Sequence, residues 1–252
     1  MAEISRRAAA LVFALLLLPG LSLAGEPYAV ESLAGEEWYP SPEEWTYHYV
    51  YNYPRIASSE DDAVALLIND TLQMVLDEMR LLALPMFAES PAMTKDGRVT
   101  VTEDVRVMCN NGRFFSVLTV KSEEKSAGTS WSLESDTFDV SGDYPGETLT
   151  LRGVVMVGDS SDQIAAAVLP ALYAEFVRLQ EEGVCRKEIT EEEFCETVVP
   201  TLDFYADENG RAVFYFQPSM MCVPGEDAPR FAYTPAELEE LISAMPPGAG
   251  EA

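Results

Sequence analysis

The stretch VTVTEDVRVMCNNGRFFSVLTVK, residues Val99 to Lys121, decides the fold. β-Branched and aromatic residues recur with period two in Val99 to Met108 and again in Phe114 to Lys121, as is typical of strands. Between the two runs lies Asn110-Asn111-Gly112, and Asn-Gly favours a tight type I′ turn because that turn needs positive φ. The stretch therefore predicts an antiparallel hairpin in the middle of the chain.

On the N-terminal side of this hairpin the sequence predicts a strand and a helix. Five aromatic residues alternate with other residues from Trp45 to Tyr53, which indicates a strand that ends at Pro54. Ser58 or Ser59 is the expected N-cap of a helix that runs to about Leu82. Apolar residues then recur on one face of that helix: Val64, Ile68, Leu72, Val75, Leu76 and Met79.

On the C-terminal side, two further strands are expected at Thr129 to Val140 and Glu147 to Val155. A long helix follows from Asp159 or Ser160 to a C-terminal cap at Gly183. The remaining predicted elements are a short helix with a Thr190–Glu193 capping box, a hairpin over Asp207-Glu208-Asn209-Gly210, a strand at Phe231 to Tyr233 and a helix after Thr234.

Grouped hairpins without strand–helix–strand alternation favour an α+β fold. We expect a single domain, residues 45–245, with an antiparallel sheet of hairpins packed against two longer and two short helices. Residues 25–44 are rich in Glu, Pro and Gly and are expected to form a flexible lead-in. Residues 246–252 are expected to be a disordered tail.

The first 24 residues have the pattern of a secretory signal peptide. Arg6 and Arg7 precede an apolar run from Ala8 to Leu18, and Ser22-Leu23-Ala24 matches a cleavage site. The run is shorter than the ~20 apolar residues that span a bilayer, so cleavage near Ala24 is favoured over a retained anchor. The sequence therefore predicts an exported protein, secreted or held at the cell envelope, with no membrane segment in its mature chain.

The charge balance restricts the partners of such a protein. The chain has 43 acidic and 16 basic residues, a formal net charge of −27, and the predicted mature chain keeps 42 and 14, or −28. Nucleic acids and anionic membrane surfaces are recognised by basic patches, so both are poor partners. A strongly basic protein is a better one.

No motif of an enzyme is present. His48 is the only histidine, so a site needing two histidines cannot be built within the chain, and no phosphate loop or nucleophile elbow occurs. The acidic residues from Glu188 to Glu196 are interpreted as a solvated helix face rather than a calcium site. The sequence assigns no catalytic residue, no metal ligand and no cofactor.

Cysteines and aromatic residues leave alternatives open. The candidate disulfide cysteines number four and lack any CxxC spacing: Cys109, Cys185, Cys195 and Cys222. In an exported protein they predict two disulfides, with Cys185–Cys195 the first choice, or else remain reduced. The aromatic residues from Trp45 to Tyr53 are expected to pack in the core, the alternative being a carbohydrate- or partner-binding face.

Four segments in order resemble the RsiV-like extracellular domain family, which the anti-sigma factor RsiV shares with some peptidoglycan deacetylases. The resemblance covers about residues 45–244. Its segments are Tyr53-Pro54-Arg55-Ile56 with Ile68-Asn69; Asn111 to Val117; Thr137 to Gly142 with Leu149-Thr150-Leu151; and Asp203-Phe204-Tyr205 through Asn209-Gly210 to Val213 to Pro218, followed by Gly225, Phe231, Tyr233 and Leu238.

The resemblance implies an extracellular recognition domain, and RsiV-type domains bind lysozyme. The chain departs from the pattern at Ser126 to Trp131, where the family has a Gly-Gly-Ala-His-Gly-like stretch, so a role of that histidine is lost. Because only seven residues precede the apolar run, we expect no regulation of a sigma factor by this route. We expect no deacetylase chemistry either, because it belongs to a separate catalytic domain.

We therefore expect a non-enzymatic, exported binding domain for lysozyme, another basic protein or a wall-derived ligand. The alternative is a carboxylate-dependent hydrolase of an envelope glycan, which would need paired carboxylates in an aromatic cleft. The identity of the ligand, the disulfide pairing and the oligomeric state stay open at this stage.

Overall fold

A computed structural model describes residues 26–57, 62–83, 85–86, 97–222 and 227–246. Within these ranges the chain is α+β, as expected, with two sheets and five α-helices. The five-stranded sheet has the order β1 (Val30–Tyr39), β2 (Tyr47–Ile56), β3 (Val99–Asn110), β4 (Phe114–Lys125) and β5 (Gly128–Asp139). The three-stranded sheet contains β6 (Phe204–Ala206), β7 (Ala212–Tyr215) and β8 (Arg230–Tyr233). The helices are α1 (Ala63–Glu78), α2 (Leu151–Val155), α3 (Ser161–Glu181), α4 (Glu191–Thr197) and α5 (Pro235–Ala244).

The hairpin predicted for Val99 to Lys121 is confirmed at the centre of the larger sheet. β3 and β4 pair antiparallel, and Gly112 in the turn has a positive φ of 76°. Asn111 does not have positive φ, so the predicted type I′ turn is wrong although the hairpin forms. Both strands are longer than predicted. A β-bulge between Val107 and Cys109 shifts the register near the turn.

The expectation of a purely antiparallel sheet was wrong at one pair of strands. β2 and β3 run parallel, with Tyr47 opposite Val99 and Asn52 opposite Asp104, so the sheet is mixed. A parallel pair needs a long crossover connection, and α1 lies in the connection between these two strands. The pairing partner of a strand is a tertiary property that the alternation of side chains does not report.

The predicted flexible lead-in is also corrected. Val30–Tyr39 forms the edge strand β1, which pairs antiparallel with the whole length of β2. β2 itself continues beyond Pro54 to Ile56. Pairing with β3 ends at Asn52, so the missing N–H of Pro54 costs no bond to that neighbour.

The start of α1 differs from the prediction by a few residues. Asp62 is the N-cap, because its side chain accepts bonds from the backbone N–H groups of Val64 and Ala65. Asn69 ties this helix to β2: Ile56 N–H donates to Asn69 Oδ1, and Asn69 Nδ2 donates to the Ile56 carbonyl, both at 2.8 Å. A π-helical turn, Met79–Ala83, follows the helix.

The strand expected at Glu147 to Val155 is replaced by a turn and a helix. Thr148 makes one isolated bridge to Phe138, and Thr150 then caps α2 by accepting from Gly153 N–H. The β-branched residues of this stretch misled the prediction, because capping and burial of Leu151, Val154 and Val155 outweighed their strand preference. Because of α2, the described residues form five α-helices, one more than the four that the sequence predicts.

The remaining helix signals are confirmed. Ser160 caps α3, and Gly183, at φ 77°, ends it. Thr190–Glu193 and Thr234–Glu237 form the capping boxes of α4 and α5.

Three apolar clusters hold the layers together. One face of the five-stranded sheet packs on α1 through Tyr49, Val101 and Ile68. The opposite face of β4 and β5 packs on the three-stranded sheet, where Leu118 and Tyr215 belong to one cluster. The far face of the smaller sheet is covered by helices in a third cluster around Phe176, Phe194, Phe214 and Phe216.

Several sequence predictions fall on residues outside the described ranges. These are the signal peptide of residues 1–24, the caps Ser58 and Ser59, Gly225, and the tail beyond residue 246. Among the helices that are described, none combines the length and apolarity needed to cross a membrane.

Candidate functional site

The aromatic residues of β2 are divided between two faces of the sheet. Tyr47, Tyr49 and Tyr53 are buried on the α1 side, which agrees with the core assignment. His48 points to the opposite face, because successive side chains of a strand alternate. Trp45, just before the strand, joins His48 on that face through an edge-on ring contact at 5.8 Å.

Trp38 of β1 completes this group, which we call the aromatic face: Trp38, Trp45 and His48. Trp38 lies directly opposite His48 in the β1–β2 register, and the two rings stack at 3.5 Å with an interplanar angle of 6°. The Trp38 and Trp45 rings meet edge to face at 5.3 Å. The smaller sheet covers β4 and β5, whereas these three residues remain partly exposed.

A shallow depression of about 440 Å³ extends the open side of the sheet, with Val50, Thr102 and Trp131 in its lining. The chain has three tryptophans: Trp38 and Trp45 belong to the aromatic face, and Trp131 lines this depression. Aromatic residues exposed together on one surface are typical of recognition surfaces.

The charges around the aromatic face favour a cationic partner. Glu36 Oε2 lies 2.9 Å from His48 Nε2, and its side chain is 58% exposed. Glu43 and Glu44 directly precede Trp45 and are exposed. One cation is already bound there: the guanidinium carbon of Arg98 lies 4.7 Å from the centre of the Trp45 ring.

On the α1 side of the sheet, a buried carboxylate forms a polar cluster. Glu103 is 4% exposed; it accepts hydrogen bonds from Tyr49 Oη at 2.5 Å and Tyr53 Oη at 2.8 Å, and Lys121 Nζ lies 3.0 Å away. Burial first, and the Glu103 charge second, raise the pKa of both tyrosines far above the ordinary value. The cluster neutralises Glu103 within the fold.

The other buried carboxylates of the described chain are also bonded to groups of the fold. Asp139 accepts from the N–H groups of Gly142 and Tyr144, and Asp203 accepts from Val199 N–H and from Gln217 Nε2. Burial raises the pKa of Asp203, and these two hydrogen bonds oppose the shift. These carboxylates stabilise the local fold through hydrogen bonds to neighbouring backbone and side-chain groups.

One further carboxylate pair lies on a single face of β5. Glu134 and Asp136 are two residues apart, and desolvation, followed by the Glu134 charge, raises the pKa of Asp136. Asp136 is exposed by surface area, so this desolvation reflects crowding around the carboxyl group rather than enclosure in a cleft. Neither residue lines the shallow depression on the open side of the sheet.

The four cysteines are free thiols in this structure, with Cys109 and Cys185 buried and Cys195 and Cys222 exposed. Cys185 is directly opposite Met221 in an isolated bridge, and its Sγ lies 3.8 Å from Met221 Sδ. The Cys185–Cys195 pairing is not formed here. Oxidation of any pair stays a prediction.

The acidic residues around α4 and in the 207–210 turn include side chains that hold the local backbone in place. Glu193 belongs to the α4 capping box, while Glu191, Glu192 and Glu196 are exposed. In the 207–210 turn, Asp207 Oδ1 accepts from the N–H groups of Asn209 and Arg211. Among the described residues, no group of three or more His, Cys, Asp or Glu side chains is arranged to hold a metal ion.

Comparison with known proteins yields a fold relationship. No family model matches the sequence, and no curated protein matches it. The fold is similar to that of DUF3298 family proteins. A structure from Pseudomonas aeruginosa PAO1 superimposes with a TM-score of 0.51 at 13% identity, covering 84% of this chain and 93% of that chain. A structure from Bacteroides fragilis NCTC 9343 gives 0.55 at 12% identity, covering 86% and 93%.

These neighbours support the fold, and at such identities they carry no residue roles. They are domains of unknown function, consistent with the general kind of domain that the sequence resembles. The sequence predicts only part of the aromatic face, because Trp38 falls within residues 25–44, which are expected to be a flexible lead-in. The signal that could have found it is the symmetry of two aromatic segments, Trp38-Tyr39 and Trp45 to Tyr53, about the Pro40-Ser41-Pro42 turn.

Proposed function

We propose that this chain is an exported, non-enzymatic binding domain that recognises a strongly basic protein, such as a c-type lysozyme, on its aromatic face. The observation that carries the proposal is the stacking of Arg98 on Trp45 beside the Trp38–His48 pair. A partner's arginine or lysine can use the same ring face, and cation–π contacts contribute about 0.5–2 kcal/mol each.

The charge of the whole molecule supports the same partner. A net charge of −27 attracts a basic protein over long range and raises its association rate. The aromatic residues then supply short-range contacts that survive salt, since exposed tryptophan and arginine side chains contribute most to binding energy. In this proposal the net charge steers the partner to the surface, and the aromatic residues recognise it.

A carboxylate-dependent hydrolase has weaker support. The buried carboxylates Glu103, Asp139 and Asp203 are all bonded to donors of the fold. The lining of the shallow depression includes Glu103 and Asp104, and Asp104 also accepts hydrogen bonds, from Asn52 Nδ2 and Arg106 Nε. The pair Glu134 and Asp136 lies outside this depression. A glycosidase needs its two carboxyl groups on either side of a bound sugar.

The direct test is calorimetric titration of the mature chain, from Gly25 onward, with a basic c-type lysozyme at low and physiological salt. An equally basic protein of unrelated fold is the control ligand. Saturable binding that persists in salt and excludes the control supports recognition. Binding shared with the control and screened by salt contradicts it.

Three variants locate the surface. Trp45→Ala should weaken binding about tenfold or more, which corresponds to about 1.4 kcal/mol. Arg98→Gln should strengthen binding, because it frees the Trp45 ring for the partner's cation. Tyr144→Ala, which shortens another exposed aromatic side chain (61% exposed), should leave the affinity unchanged. Equal losses in Trp45→Ala and Tyr144→Ala would rule out the aromatic face as the binding surface.

A further inference from the structure

A second concave site differs from the aromatic face in composition and charge. A cleft of about 460 Å³ is formed by the β5–α2 connection, α2 and the β3–β4 turn. Arg113, Tyr144, Arg152 and Met156 are in its lining, and all four are exposed. Arginine, tyrosine and methionine are enriched in binding surfaces. We call this site the arginine cleft.

The wall of the arginine cleft is built rigidly by one buried carboxylate. Asp139, at the end of β5, accepts from Gly142 N–H at 2.6 Å and from Tyr144 N–H at 2.8 Å. Its own backbone N–H donates to the Glu147 carbonyl, and its carbonyl accepts from Gly146 N–H. The loop that carries Tyr144 is therefore held in place before any ligand arrives, which reduces the entropic cost of binding.

Both arginines have guanidinium groups available for an anion. Arg113 lies over the Phe114 ring at 4.7 Å, and Arg152 Nε donates to the Gly158 carbonyl. Neither makes an ion pair with a carboxylate of the described residues, although the chain contains 43 acidic residues. Two carboxylates are also in the lining: Asp139 accepts from backbone donors, and Asp143 is exposed, where water and salt weaken its charge.

Met156 is held in a conformation that favours glycine. Its φ is 57°, which makes it the single non-glycine residue with positive φ in the described chain, and its side chain is 68% exposed. The left-handed conformation is costly for residues other than glycine, and exposure means that burial does not repay the cost. Met156 is the C-cap of α2, where its N–H donates to the Arg152 carbonyl at 2.8 Å, and its Sδ lies 2.8 Å from Arg113 Nη2.

From these observations we propose that the arginine cleft binds a carboxylate-bearing ligand. Arg113 and Arg152 take the carboxylate, since the guanidinium fork matches its two oxygens. Tyr144 and Met156 pack on the apolar part beside it. The ligand class is a small organic acid with a neutral body, such as a peptide C-terminus or an acidic amino sugar. This site is separate from the basic-protein surface proposed above.

The test uses matched probes that differ only in the carboxylate. N-acetyl-alanyl-alanine is compared with its C-terminal amide, and N-acetylmuramic acid with the amide of its lactyl carboxylate. Binding to the full mature chain is followed by proton–nitrogen correlation spectra. The acid of at least one pair should shift the amides of Ser141 to Tyr144 and of Gly153, and bind about tenfold more tightly than its neutral partner. Which pair does so distinguishes the peptide from the sugar source.

Variants separate a binding role from a structural one. Arg152→Gln should weaken the acid about tenfold, and Arg55→Gln, an exposed arginine of β2, should not. Met156→Gly should raise the thermal midpoint by about 2–4 °C, because it relieves the left-handed conformation. It should still weaken binding several-fold, an outcome that a purely structural methionine would not produce.

Three results would overturn the proposal. One is equal affinity for acid and neutral probes in both pairs. Another is the absence of shifts at the arginine cleft with either acid. The third is a loss in Arg55→Gln as large as that in Arg152→Gln. None of these results bears on the titration with lysozyme, so the two proposals fail independently.

Discussion

Glu103 illustrates how single residues of this protein combine burial with chemistry. Tyr49 and Tyr53 donate to its carboxylate and stay protonated well above their ordinary pKa, because burial and the Glu103 charge both disfavour a phenolate. In the unfolded chain the same phenols ionise near pH 10. The cluster therefore links stability to alkaline pH.

We predict that the two tyrosines lower the free energy of unfolding as the pH rises above about 10, where the unfolded chain begins to lose their protons. The buried thiols of Cys109 and Cys185 add to this fall from about pH 9. A raised folded-state pKa means that the unfolded chain loses its protons first, so rising pH favours unfolding. Each such tyrosine contributes a slope of about 1.4 kcal/mol per pH unit. The measurement is urea unfolding between neutral and alkaline pH.

The double variant Tyr49→Phe/Tyr53→Phe should make that alkaline slope shallower by the contribution of the two tyrosines, whatever its stability at neutral pH. Other buried phenols and thiols, such as those of Tyr215 and Cys109, keep the remainder of the slope. Tyr144→Phe, which removes an exposed phenol, is the control and should keep the slope. A slope unchanged in the double variant would contradict the assignment.

The cysteines give a second residue-scale prediction. Burial raises the pKa of Cys109 to about 12 and of Cys185 to about 11, whereas Cys195 and Cys222 are exposed. Thiolate is the reactive form, so the reduced native protein should react with Ellman's reagent at two thiols, and at all four only after unfolding.

The same thiol count, made without prior reduction, tests the disulfide prediction. Two disulfides would leave no reactive thiol even in the unfolded protein. Four reactive thiols in the unfolded, unreduced protein would contradict that pairing and support the reduced alternative.

At the scale of elements, the β5–α2 connection depends on one close approach. A Cβ at Gly142 would lie 2.6–2.9 Å from the carboxylate atoms of Asp139, which would displace the hydrogen bonds of the loop. We predict that Gly142→Ala lowers the free energy of unfolding by about 1–3 kcal/mol. Chemical unfolding measures it, with Ser141→Ala on the exposed neighbour expected within about 0.5 kcal/mol of the wild type.

β1 gives a second prediction at this scale. Within the described part of the chain it pairs only with β2, and all of its residues are at least partly exposed. Its amides that bond to β2 should be protected from hydrogen exchange, but less than those of the central strands β3 and β4. Exchange of Val30–Tyr39 as fast as an unstructured peptide would instead support a flexible lead-in.

At the scale of the whole molecule, the excess of acidic groups acts on stability. A net charge of −27 disfavours the compact state through mutual repulsion, and salt screens that repulsion. We predict that raising ionic strength from about 10 to 150 mM increases the thermal midpoint by about 2–4 °C. Circular dichroism melts test this, and a falling midpoint would indicate that local ion pairs such as Arg80–Glu37 dominate instead.

Local signals in the sequence determined the elements that depend on a few neighbouring residues. Asn111-Gly112 specified the β3–β4 turn, and Thr190–Glu193 and Thr234–Glu237 specified two helix starts, because turn and cap energies arise within four or five residues. The α+β class followed from the grouping of these elements, and the proposal of a cationic partner starts from charge composition, which needs no coordinates.

Only the tertiary structure decided the pairing and the sites. The parallel β2–β3 pair, the strand β1 and the helix at Leu151–Val155 depend on partners tens of residues away, which local propensity does not contain. The same holds for the aromatic face, where Trp38 meets His48, and for the arginine cleft, where Arg113 meets Met156. Side chains distant in sequence converge only after long-range packing has chosen which strands and helices are neighbours.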